Sequence, residues 1–61
     1  MPVISVKLAG ELTREQKKEI VERFTATMEE VAGKPRDYVV VSFESQPYEN
    51  WGWGGKLLDE E

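Results

Sequence analysis

A helix-forming segment with a clear start and a clear end constrains the fold more than any other part of this sequence. It starts with a capping box at residues 13–16 (Thr-Arg-Glu-Gln), where the threonine hydroxyl and the glutamine side chain each accept a backbone N–H. Gly33 supplies the left-handed conformation that ends a helix, and Pro35 prevents the helix from continuing. This pattern predicts one long helix between residues 13 and 33.

The apolar residues of this segment recur at the spacing of a helix with one apolar face. The stripe consists of Ile20, Phe24, Met28 and Val31, supported by Val21 and Ala32. Spacings of four, four and three place its first four members on the same side. The segment is therefore predicted to be amphipathic.

Two strand-like segments flank the helix. In the first, every second residue from Pro2 to Leu8 is apolar, which gives a strand one strongly apolar face. The second runs from Tyr38 to Glu44 and is rich in β-branched and aromatic residues. Its centre is apolar on both parities, which is typical of a strand that is covered on both faces.

A strand, a helix and a second strand in this order form a βαβ unit, in which the strands are parallel and the crossover is right-handed. We expect an α+β fold: a single βαβ unit with one long helix and a short C-terminal extended or hairpin segment, in a single domain over residues 1–61. A chain of this size buries only about 60% of its unfolded surface. Oligomerisation is therefore expected to complete the fold.

Charge and composition argue against several classes of function. Acidic residues outnumber basic residues by 12 to 8, which disfavours a nucleic-acid partner. The chain contains no cysteine and no histidine, so we expect neither a zinc site nor a disulfide. No apolar run approaches the ~20 residues that span a bilayer, and no signal-peptide pattern follows Met1. We expect a cytoplasmic protein with no membrane partner.

Near the end of the chain, tryptophan alternates with glycine at residues 51–55 (Trp-Gly-Trp-Gly-Gly). If this segment is extended, both indoles lie on one side of it. One interpretation is that the indoles cover a neighbouring subunit, since aromatic residues are enriched at interfaces. The other is that one indole forms the wall of an apolar pocket. The two interpretations agree if the pocket lies between subunits.

Pro2 has the one backbone nitrogen in this chain that could become a free secondary amine, because removal of Met1 would expose it. Desolvation or nearby positive charge would lower the pKa of such an N-terminal amine towards neutrality. An amine in that range suits proton transfer at physiological pH. The alternative is that a Met-Pro start has no chemical role.

With these features together, the chain resembles the 4-oxalocrotonate tautomerase family over nearly its whole length. The resemblance is carried by Pro2, by residues 13–17 (Thr-Arg-Glu-Gln-Lys) and by residues 50–57 (Asn-Trp-Gly-Trp-Gly-Gly-Lys-Leu). It implies that Pro2 is a general base, which moves a proton from the enol hydroxyl of a 2-hydroxy-dienoate to carbon without metal or cofactor. It also implies that Trp51 is an apolar wall that lowers the pKa of Pro2.

The resemblance further implies a homo-oligomer, a hexamer or trimer of dimers, in which the C-terminal segment packs on a neighbour. One departure bears on the substrate, because Leu12 and Val40 occupy the positions of the family's substrate-binding arginines. Neither side chain can stabilise a developing negative charge. The candidate cations are Arg14, Lys34 and Arg36, with Lys7 on the first strand, and each is also explained as ordinary surface charge.

The sequence thus favours a tautomerase that acts on a small 2-oxo acid or enol, less charged than a dicarboxylate. The alternative is a non-catalytic assembly or binding module with a tautomerase-like fold, which has lost its anion-binding residues. A βαβ domain that binds nucleic acid is disfavoured by the acidic balance.

Overall fold

The computed structural model describes residues 1–60 and contains the predicted βαβ unit. Strands β1 and β2 are parallel neighbours in one sheet, and helix α1 connects them. A short antiparallel hairpin of strands β3 and β4 follows. The elements are β1 (Val3–Ala9), α1 (Arg14–Ala32), a 3₁₀ turn (Arg36–Tyr38), β2 (Val40–Gln46), a second 3₁₀ turn (Tyr48–Asn50), β3 (Gly52–Trp53) and β4 (Lys56–Leu57).

Both ends of α1 form as predicted. The backbone N–H of Gln16 donates to Thr13 Oγ1 at 3.1 Å, and the N–H of Thr13 donates to Gln16 Oε1 at 2.9 Å. At the other end Gly33 has a φ of 65°, and the N–H of Lys34 donates to the carbonyl of Met28 at 3.2 Å. These local bonds satisfy backbone groups that a helix end otherwise leaves unpaired.

Replacing Thr13 with alanine should lower the free energy of unfolding by about 1 kcal/mol, because the N–H of Gln16 loses its acceptor. Urea unfolding followed by circular dichroism, at one fixed chain concentration, measures the effect. Thr13→Ser retains the hydroxyl and is the matched control. Equal stability of Thr13→Ala and Thr13→Ser would mean that the cap does not stabilise the fold.

The face of the sheet that lies under α1 carries the alternating apolar residues of both strands. Ile4 is paired with Val41, and Val6 with Phe43, and all four are half-buried. Ile4 lies beside Phe24 and Met28 of α1. These contacts confirm the apolar parity that was predicted for each strand.

The opposite face of the sheet is open, and its residues are paired across the two strands. Val3 lies opposite Val40, and both are exposed. Next along the strands, Ser42 Oγ donates to Ser5 Oγ at 3.4 Å. The next pair on this face is the ion pair of Lys7 and Glu44, and the pair of Ala9 and Gln46 follows it at the end of the strands.

Both strands lie later in the chain than the sequence predicts. The first begins at Val3 instead of Pro2, and the second begins at Val40 instead of Tyr38. Tyr38 instead lies in a 3₁₀ turn, where its N–H donates to the carbonyl of Pro35 at 3.0 Å. The fixed φ of Pro35 starts this turn, so β2 can begin only after it.

Val31 belongs to the predicted apolar stripe of α1 and is nevertheless 82% exposed. The 19 residues of α1 extend about 28 Å, whereas a seven-residue strand extends about 20 Å from its first residue to its last. The last turn of the helix therefore has no strand beneath it. Thr25, which lies outside the predicted stripe, is 8% exposed.

A single chain does not enclose a core. No apolar side chain among residues 1–60 is fully buried. The accessible surface is 5066 Å², whereas about 4,000 Å² is typical of a compact chain of this mass. The radius of gyration is 14.9 Å, compared with about 10.5 Å for a compact domain of this length. Within residues 1–60, no helix combines the length and apolarity needed to cross a bilayer.

Candidate active site

Pro2 lies at the edge of the sheet where both parallel strands begin. Its carbonyl accepts the N–H of Val40 at 2.9 Å, which fixes the residue immediately before β1. Pro2 is half-buried, whereas Met1 projects into solvent with a side chain that is 83% exposed. Removal of Met1 would therefore expose the Pro2 nitrogen at this edge without disturbing a packed side chain.

Two of the predicted cations lie at this same edge. Lys34 follows the C-terminal end of α1, and Arg36 begins the 3₁₀ turn that leads into β2. The carbonyl of Arg36 accepts the N–H of Val39 at 3.2 Å, which holds the turn next to the start of β2. Both side chains are exposed. The fold thus brings Pro2, Lys34 and Arg36 to one end of the βαβ unit.

Trp51 lies at the opposite edge, beyond the C-terminal end of β2. Its indole Nε1 donates to the carbonyl of Gln46 at 3.4 Å, and the side chain is half-buried. Its backbone carbonyl accepts the N–H of Leu58 at 2.8 Å, which ties it to the hairpin. Arg14 also lies at this edge, at the first position of α1.

Pro2 and Trp51 are therefore separated by the length of the sheet, about 20 Å for seven residues of strand. Within one chain, the indole cannot cover the Pro2 nitrogen. Leu12 and Val40 also lie at opposite edges of the sheet, because Leu12 follows the end of β1 and Val40 begins β2. The predicted site residues form two groups, one at each end of the unit.

The Trp51 end of the sheet contains an open groove of about 530 Å³. Lys7 Nζ lies 3.2 Å from Glu44 Oε2 on one side of it. On the other side, Asn50 Nδ2 donates to Gln46 Oε1 at 2.6 Å. Sequence reasoning did not assign Glu44, Gln46 or Asn50 to a site. Glu44 could have been identified from its place at the end of the predicted second strand. Pairing of the two strands sets it opposite Lys7.

The two tryptophans differ in their surroundings, although they are two residues apart. Trp51 is half-buried beside the groove, whereas Trp53 is 81% exposed on β3. Trp51 precedes the hairpin and bonds back to the end of β2, while Trp53 is paired with Lys56 across the hairpin. Trp51 thus lies at a groove and Trp53 on an exposed surface.

Comparison with known proteins agrees with this fold. Residues 2–61 match the family model described as tautomerase enzyme. A probable tautomerase from Bacillus cereus is 37% identical over 60 residues, which are 98% of each chain. A 2-hydroxymuconate tautomerase from Bacillus subtilis is 32% identical over 98% of this chain and 97% of its own. A solved 4-oxalocrotonate tautomerase isozyme from Methylibium petroleiphilum is 36% identical, with a TM-score of 0.82 over 95% of this chain and 94% of that chain.

The fold and these relatives define the class of protein, which is an isomerase built on a single βαβ unit. This chain belongs to the tautomerase family. The resemblance to 4-oxalocrotonate tautomerases is confirmed, and so is the prediction of an enzyme.

Proposed function

We propose that this chain is a cofactor-independent tautomerase in which Pro2, freed by removal of Met1, is the general base. Its substrate is a small 2-oxo or 2-hydroxy-dienoate acid, whose enol and keto forms it interconverts. The observation that carries this proposal is the position of Pro2, which begins the family match and precedes β1 at an accessible edge of the sheet. An amine at that place has access to solvent and to a bound ligand.

The chemistry requires one base that both takes and returns a proton. The lone pair of the Pro2 nitrogen takes the proton from the enol hydroxyl, and the electrons of that O–H bond form the C=O bond. The double bonds shift along the dienol, and the terminal carbon takes the proton back from the protonated amine. Because the amine is regenerated and nothing is oxidised, the reaction needs no electron carrier.

The active site is composite in this proposal, and a second copy supplies Trp51. Supporting this, Pro2 and Trp51 lie about 20 Å apart within one chain, and no apolar side chain in residues 1–60 is fully buried. The single domain over residues 1–61 is the repeating unit of a homo-oligomer, a hexamer or a trimer of dimers. The indole then lies over the Pro2 amine of a neighbour, where desolvation lowers the pKa of the amine.

Binding of the acid requires positive charge, and exposed cations at both ends of the unit are candidates to supply it. Arg36 and Lys34 share an edge with Pro2, and Arg14 shares an edge with Trp51. Leu12 and Val40 are neutral and cannot pair with a second carboxylate. The proposed substrate therefore carries a single carboxylate.

Mass spectrometry of the purified chain tests the first requirement of this proposal. We expect the mass of a chain that begins at Pro2, because a small second residue permits removal of Met1. In preparations processed to different extents, the enol-to-keto rate per chain should increase in proportion to the fraction that begins at Pro2. Equal activity of a preparation that retains Met1 throughout would contradict the assignment of Pro2 as the base.

A further inference from the structure

The ion pair of Lys7 and Glu44 lies on the open face of the sheet, at its Trp51 end. The two residues are directly opposite in the strand register, with Nζ 3.2 Å from Oε2. Their side chains are 64% and 56% exposed. An ion pair this exposed contributes little to stability, because water screens it. Its charges therefore remain available to a ligand.

The groove beside this pair combines charge, hydrogen-bond donors and an aromatic surface. Its described lining consists of Lys7, Glu44, Gln46, Asn50 and Trp51. An ammonium group has three donors, and Glu44 occupies one of them. Asn50 Nδ2 bonds to Gln46 Oε1, which leaves the Gln46 amide nitrogen as a further donor. Within this lining, one positive charge is balanced by one negative charge.

We propose that Lys7 binds the carboxylate of the substrate while the conjugated part of the substrate lies against Trp51, and that Glu44 restricts the site to monocarboxylates. This inference rests on the proposed function, in which one copy supplies Trp51 to the Pro2 of another. Because Lys7 and Trp51 line the same groove, the copy that supplies the indole supplies Lys7 with it.

The charge balance of the groove accounts for the selectivity. A single carboxylate uses the free donors of Lys7 while Glu44 keeps its own bond. A second carboxylate on the same ligand would lie near Glu44 with no further cation in the described lining. Like charges brought together in a partly desolvated site repel, and this repulsion discriminates between ligands as effectively as attraction does.

Two unreactive acids test this proposal without turnover. Cinnamate has one carboxylate and trans,trans-muconate has two, and neither carries an enol hydroxyl. Calorimetric titration of the assembled protein should show that Lys7→Gln weakens cinnamate binding by about tenfold to a hundredfold, the effect of losing a hydrogen bond to a charged group. Lys7→Arg should retain most of the affinity. Lys18→Gln removes the same charge from the exposed surface of α1 and should leave the affinity unchanged.

Glu44→Gln tests the selectivity separately. It removes the negative charge of the groove, so muconate should gain about tenfold in affinity relative to cinnamate. In turnover with phenylenolpyruvate, Lys7→Gln should raise KM much more than it lowers kcat, because the carboxylate is bound equally in the ground and transition states.

The outcomes separate this inference from the proposed function. Unchanged cinnamate affinity in Lys7→Gln overturns the role of Lys7, even if Pro2 remains essential for turnover. Turnover that does not depend on Pro2, together with lost affinity in Lys7→Gln, overturns the proposed base and retains the carboxylate site. If Lys7→Gln fails to assemble, the Glu44→Gln variant is the deciding test. An unchanged preference of Glu44→Gln for cinnamate over muconate overturns the proposal.

Discussion

Replacement of Pro2 by alanine is expected to lower kcat/KM by about a hundredfold to ten-thousandfold, the usual contribution of a positioned general base. After removal of Met1, alanine presents a primary amine that is free to rotate, whereas proline presents a secondary amine held in its ring. The N–H of Val40 bonds to the carbonyl of residue 2, so the backbone of the variant keeps its place. The loss of ultraviolet absorbance of phenylenolpyruvate on conversion to the keto acid measures the rate.

A chain extended at its N-terminus is the matched control, because it retains Pro2 and changes only its nitrogen. With residues attached ahead of it, this nitrogen is a tertiary amide and has no proton-accepting lone pair. The extended chain should be as inactive as Pro2→Ala, and proteolytic release of Pro2 should restore the rate. Both proteins should sediment as the wild type does. A wild-type rate in the extended chain would exclude the Pro2 amine as the base.

Thermal unfolding is expected to depend strongly on chain concentration. The chain exposes about 1,000 Å² more surface than a compact protein of its mass, so we expect association to supply its missing core. Each tenfold increase in concentration should raise Tm by about 5 °C, through mass action on an assembly that unfolds as it dissociates. Circular dichroism at several concentrations, together with sedimentation velocity, measures this.

A substitution at Trp53 tests whether association of the chains stabilises the fold. Its side chain is 81% exposed on the hairpin, which we propose packs on a neighbouring copy. Trp53→Ser should weaken association by about 2 kcal/mol or more for each copy, as for a central aromatic residue of an interface. Trp53→Phe retains an aromatic ring and is the control that should still assemble. A Tm that does not change with concentration in the wild type would show that one chain is stable alone.

The sequence indicated the elements that depend on neighbouring residues. The capping box at residues 13–16 and Gly33 bound the helix correctly, because the bonds that end a helix are made within a few residues of its ends. The βαβ order and the hairpin near the end of the chain were also predictable. The parallel pairing of β1 and β2 follows from the strand–helix–strand order of the chain. A crossover of this kind within one sheet is almost always right-handed.

Elements that depend on distant contacts were predicted less well. The first strand was placed one residue too early at both ends and the second two residues too early, because pairing and the turn at Pro35 decide where a ladder starts. Val31 fits the apolar period of the helix, yet it is exposed because the sheet ends before the helix does. A periodic pattern identifies a face, but the length of the neighbouring element decides how much of that face is covered.

In the candidate site, too, the chemistry of single residues was predictable from the sequence, whereas the distances between them were not. From its position and chemistry, Pro2 could be singled out in the sequence, and so could Trp51 as an aromatic residue among glycines. Their separation by the length of the sheet, and the register that sets Lys7 against Glu44, are decided by the tertiary structure. Residue chemistry is a local property, whereas the distance between two residues depends on how the strands pair, and no run of neighbouring residues determines that pairing.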